Sequence, residues 1–147
     1  MGGNMKFDKA KFDKAKIGKI LSDIRKYSND LEAQRIKSKD DLKRKDKFYI
    51  CSMLVFSIVN SAIDLGNEII SSLKLELPQS YKDVFEILRK NKLISEKDER
   101  DLIYLVRIRN AIAHRYFAIT PEKLFVGMNK LKAVKNLEKI IDNLLIR

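Results

Sequence analysis

Cysteine, histidine, proline and glycine are all scarce in this chain, and each shortage narrows what it can be. A single cysteine, Cys51, leaves no internal disulfide framework and no cysteine-built zinc cage. A single histidine, His114, excludes any site that takes two imidazoles from one chain. Five glycines and two prolines are too few for the frequent tight turns of an all-β fold. No uncharged apolar window reaches the roughly 18 residues of a membrane span. The N-terminal stretch MGGNMKFDKAKFDKAK lacks the apolar run of a secretory signal. What is present fits one domain: 147 residues, 45% of them apolar, with 31 Lys+Arg against 20 Asp+Glu for a net charge of +11. The expectation is a soluble, cytoplasmic, mostly helical domain with no membrane partner.

Charge is spread unevenly. Residues 1–48 carry 15 basic and 8 acidic side chains, and residues 49–147 carry 16 and 12. The more cationic end contains a tandem repeat, KFDKA, at Lys6–Ala10 and Lys11–Ala15. Its five-residue spacing does not match the helical period, so Phe7 and Phe12 do not share an apolar stripe. Residues 1–15 therefore read as a basic extension and residues 16–147 as the folded domain.

Helical periodicity begins at Ile17 and continues through Ile20, Leu21, Ile24, Tyr27 and Leu31. A second, long helix is expected over roughly 41–75. It is apolar enough to be covered on several sides, yet it carries one polar stripe: Asn60, Asp64, Asn67 and Ser71. After Pro78, Ser80 with Asp83 three residues on opens a short helix over 81–90. Ser95 with Asp98 opens a fourth over 96–114, and Thr120-Pro121 opens a fifth over 121–145. The sum is an all-α, antiparallel up-and-down bundle of about five helices.

Reactive side chains concentrate in one place, Arg107-Ile108-Arg109-Asn110-Ala111-Ile112-Ala113-His114-Arg115-Tyr116, at the end of the fourth helix. Arginine recognises phosphate through a planar fork of donors. An imidazole, with an ordinary pKa of roughly 6.5, moves protons near neutral pH. Together they supply the parts for phosphodiester cleavage: a base for a hydroxyl and donors for the charge that builds on phosphorus. Asn110 and His114, four apart, share a helix face. Arg109 and His114, five apart, sit roughly 140° from each other on an ideal helix. Either the helix ends near His114, or the arginine bends across, or a second copy of the chain completes the site. The alternative is that these residues are a solvated helix end: a histidine there is favoured by the helix dipole alone.

The motif R-N-x-x-x-H-x-Y, here Arg109, Asn110, His114 and Tyr116, resembles the signature of the HEPN superfamily and its HepT-like branch. The segments Val59–Ile70 and Leu77–Leu88 are similar to that family's second-helix and P-x-S-Y patterns, so the likeness extends over roughly 17–145. The resemblance implies a helical domain that forms a two-fold dimer around the motif. It implies a metal-independent RNase toxin of a toxin–antitoxin pair, with RNA as substrate and no cofactor. The partner it implies is a minimal nucleotidyltransferase antitoxin that adds AMP to the motif tyrosine, here Tyr116. It places Arg109 on the scissile phosphate, His114 as general base or acid, and Asn110 as an orienting group. On this reading Asn60, Asp64 and Asn67 face the motif helix and line the dimer cleft, with Asp64 orienting Arg109 or His114. Two other readings compete: a HEPN unit that binds nucleotide or nucleic acid without cutting it, and a plain structural helical dimer indifferent to His114.

Overall fold

The computed structural model describes residues 11–114 and 119–146. Six α-helices follow in order: α1 (Lys14–Glu32), α2 (Lys45–Ser72), α3 (Tyr81–Lys90), α4 (Glu96–Ala113), α5 (Pro121–Asn129) and α6 (Lys132–Ile146). A short 3-10 helix, Lys39–Lys43, sits between α1 and α2, and there is no strand among the described residues.

Local chemistry places the helix starts. Ser80, Ser95 and Thr120 each lie in extended backbone and accept a hydrogen bond from the amide three residues on, at 3.2, 3.0 and 3.2 Å. The Asp83 carboxylate returns the favour by accepting from the Gln79 amide at 2.9 Å. The second copy of KFDKA is drawn into the fold. Asp13 caps α1 through the Lys16 amide, and Phe12 packs against the core. The first copy, with Phe7, lies outside the described residues. The stretch 39–43 does not belong to α2: Ser38 and Asp41 cap a separate 3-10 turn that buries Leu42.

The helix expected over 121–145 is two helices. No proline marks the break at Lys130-Leu131, and the amides there bond three residues back, that of Lys130 to the Gly127 carbonyl, as in a 3-10 turn. A tertiary contact fixes it. The Lys130 ammonium reaches Asp101 on α4 at 3.1 Å and lies 5.2 Å from the Tyr104 ring centre. Asp101 also accepts from Lys97 at 2.8 Å. Burial pushes the Asp101 carboxyl up, but the hydrogen bonds from Lys97 and Lys130 outweigh it and hold the group below its ordinary value. A depressed carboxyl stabilises the fold above its unfolded pKa and loses that contribution as pH falls through the folded value. Asp101→Asn is expected to cost about 1–2 kcal/mol at neutral pH. In urea titrations the gap from wild type should close as pH drops through the depressed carboxyl value.

The core centres on α2, which packs against α1, α3, α4, α5 and α6. By length and mean hydropathy α2 could cross a membrane, although Asp64 and Glu68 interrupt its uncharged run. Twelve of its residues, Val55, Ile58, Leu65 and Ile69 among them, are buried in the bundle. Much of its apolar surface therefore faces other helices, while Tyr49, Ile50 and Met53 near its start stay exposed. Cys51 is fully buried on this helix, and burial pushes its thiol up, which disfavours the reactive thiolate.

Gly66 sets how closely α3 approaches. A Cβ at that position would stand 2.5 Å from a Val84 methyl and 3.6 Å from both Phe85 and Leu88. The missing side chain lets α3 lie directly on α2. It thereby brings Tyr81, the first residue of α3, over the motif.

Candidate active site

The motif lies at the C-terminal end of α4, facing the middle of α2. Arg109 is half-buried and held from several directions. Its Nε donates to Asn60 Oδ1 on α2 at 2.8 Å, and its Nη1 donates to Asn110 Oδ1 at 3.2 Å. Its guanidinium carbon lies 5.0 Å from the Phe56 ring centre and 4.7 Å from that of Tyr81. Both distances are within cation–π range. Amides hold the fork without neutralising it, and bonds to the described residues use two of its five N–H donors. The cation keeps donors and charge for an anion from outside.

The helix ends where the motif needs it to. Ala113 closes α4, and His114 is its C-cap, in extended backbone with its amide bonded to the Asn110 carbonyl at 3.1 Å. Leaving the helix frees the imidazole from the 140° separation, and the residue is exposed to solvent. The helix thus ends near His114, as the first of the three geometric options has it. Arg115 and Tyr116 lie outside the described residues, so the tyrosine expected from the resemblance to carry AMP has no placement here.

The polar stripe on α2 divides. Asn60 meets Arg109. Asn67 lines a groove with Asn110, Tyr81 and Pro78. Asp64 does neither, which corrects its expected place beside Arg109. Its charged neighbours are Lys16 and Glu68, which pair at 2.9 Å where α1 crosses α2. Its carboxyl is pushed up by desolvation and by Glu68, and drawn back by Lys16. The physical reason is register: Asp64 is exposed on the side of α2 where Lys16 and Glu68 pair, and Asn60, one turn earlier, is the member that meets Arg109.

Phe56 and Tyr81 were not legible as site residues. Phe56 stands four residues before Asn60 and so shares its helix face, which is the one signal that pointed to it. Tyr81 is brought in by the α2–α3 approach at Gly66, which no local pattern encodes. A roomier groove of about 670 Å³ lies between α1, α5 and α6, lined by Leu31, Phe125 and Met128. It contains none of the motif residues. No cluster of three or more His, Cys, Asp or Glu side chains suited to a metal occurs among the described residues.

Comparison with known proteins places this arrangement. A family model described as Ribonuclease HepT-like matches residues 17–144. No curated protein matches. Among solved structures, YutE from Bacillus subtilis, described as a cytosolic protein of unknown function, aligns with a TM-score of 0.76 at 21% identity, covering 92% of each chain. A toxin–antitoxin complex with AMP-PNP aligns at 0.73 and 19% identity, over 89% of this chain and 98% of that one. A tri-AMPylated Shewanella oneidensis HEPN toxin in complex with its MNT antitoxin aligns at 0.61 and 22% identity, over 90% and 93%.

Proposed function

The chain belongs to the HepT-like family of HEPN proteins, and on that premise we propose that it is the toxin of a toxin–antitoxin pair and a metal-independent endoribonuclease. The observation that carries the proposal is Arg109. It is a cation fixed by two neutral amides and two aromatic rings, with donors to spare, at the end of the helix that carries His114. No carboxylate hydrogen-bonds or ion-pairs with it among the described residues, so a phosphate meets no competing anion there.

In the proposed reaction the ribose 2′-OH attacks its own 3′-phosphate. His114 takes the hydroxyl proton, the O2′–P bond forms, and the P–O5′ bond breaks. The departing 5′-oxygen takes a proton from an acid, leaving a 2′,3′-cyclic phosphate and a 5′-OH. Arg109 holds the charge that builds on phosphorus, and Asn110 keeps Arg109 in place. One histidine per chain suits a two-fold dimer, in which base and acid come from the two copies. Tyr49, Ile50 and Met53 support that assembly. They are 62%, 42% and 57% exposed, form one apolar patch on α2, and continue to Phe56 and the site. Such a patch calls for a cover, and a second copy supplies a matching one.

The neutralising partner in this reading is a minimal nucleotidyltransferase, which attaches AMP to Tyr116. A phosphate and nucleotide two residues from His114 would occupy the site and present Arg109 with a false substrate. Both proteins act in the cytoplasm. RNA and the all-deoxy oligonucleotide of the same sequence, incubated with the purified protein and a chelator, test the chemistry. RNA should be cut and DNA left intact, because only RNA carries the nucleophile. Cleavage of DNA, or a requirement for added divalent metal, would overturn the proposal.

A further inference from the structure

We propose that the groove beside Arg109 seats one nucleobase of the bound RNA, stacked on Tyr81, while the adjoining phosphate lies on Arg109. The inference rests on the RNase reading and adds a binding site to it. Tyr81 is 44% exposed although it opens a helix that is otherwise well packed. Helix capping does not require it, since Ser80 does that work. Its ring touches the Arg109 guanidinium, so a base stacked on it stands next to the phosphate-binding cation.

The groove, about 500 Å³, falls in the range of small-ligand sites and has room for one nucleotide. Pro78, Val84 and Val106 give it apolar walls, Asn67 and Asn110 place amides along it, and Lys82 adds a cation at Tyr81. The Asn67 amide is half-buried and makes no hydrogen bond with any described residue, so its donors and acceptor are left for a base edge. An aromatic platform next to a cation, on a chain of net charge +11, is how single strands are held.

The test uses short RNA strands made uncleavable by 2′-O-methylation and carrying 2-aminopurine at successive positions. Their fluorescence is read as wild type, Tyr81→Phe and Tyr81→Leu are added. Wild type and Tyr81→Phe should quench one position next to the scissile phosphate and leave the others bright. Tyr81→Leu keeps an apolar cover on Arg109 but should lose that quench and bind about 5- to 100-fold more weakly. Asn67→Ala should change which base is preferred there. If Tyr81→Leu slows cleavage of ordinary RNA yet leaves the quench and affinity intact, Tyr81 only braces Arg109 and the proposal falls. Quenching without any cleavage of ordinary RNA would refute the RNase reading and leave the groove standing. Cleavage without position-specific quenching would do the reverse.

Discussion

Arg109→Ala is expected to lower RNA cleavage by about 10²–10³-fold while leaving the fold intact. The expected loss is large because the guanidinium is held in place before substrate arrives. Asn60 and Asn110 fix two of its donors, and Phe56 and Tyr81 flank its carbon at 5.0 and 4.7 Å. Pre-placed charge stabilises a transition state without reorganising. Arg109→Lys should recover little, because an ammonium cannot bond two amides and fork onto a phosphate together. His114→Ala should cost about 10²–10⁴-fold, the usual worth of a general acid–base group. His114 is exposed beyond the last turn of α4, so its removal leaves no cavity in the core. Thermal unfolding run beside the assay separates the effects. A variant that loses both activity and several degrees of stability would say that Arg109 supports the fold and not the reaction.

Gly66→Ala carries the second large expectation, a loss of about 1–3 kcal/mol of stability. An added methyl would stand 2.5 Å from Val84 Cγ1. Valine in a helix has one strongly favoured rotamer, so it does not swing aside cheaply. Phe85 and Leu88, each 3.6 Å away, close the other routes. Relief comes from α3 lifting off α2, and that carries Tyr81 away from Arg109. The midpoint of thermal unfolding should fall by roughly 2–4 °C per kcal/mol at this chain length. The surviving folded fraction should bind RNA more weakly. An unchanged midpoint would mean that α3 yields without strain and does not depend on the glycine.

Much of the fold is written in local chemistry, and the exceptions share a cause. The helix over 81–90 and the starts of α4 and α5 follow from Ser80, Ser95 and Thr120-Pro121, because a cap needs only its own neighbours. The break at Lys130-Leu131 is silent in the sequence. Apolar spacing runs through it undisturbed, and the bond that accompanies it comes from Asp101, 29 residues away. The same division holds at the site. The Arg109–His114 spacing raises the question of where α4 ends, and the structure answers it at Ala113. The polar stripe on α2 is visible as a pattern, but which member meets Arg109 depends on which turn of α2 the end of α4 packs against. A carboxylate, Asp64, is the natural electrostatic guess for an arginine. The charged neighbours of Asp64 are instead Lys16 and Glu68, and the neutral amide of Asn60 takes the contact with Arg109. Tyr81 joins the site through helix packing at Gly66, at a range no local motif spans, and Phe56 through the face of α2 it shares with Asn60.

The most direct test of the account is one reaction. Purified protein is incubated with RNA in the presence of EDTA, wild type beside His114→Ala, after mass spectrometry has confirmed that Tyr116 carries no AMP. The product ends are then assayed for 2′,3′-cyclic phosphate. The account predicts cleavage by wild type alone, with cyclic phosphate on the 5′ fragment. Equal cleavage by both proteins, or 3′-hydroxyl ends from wild type, would contradict it.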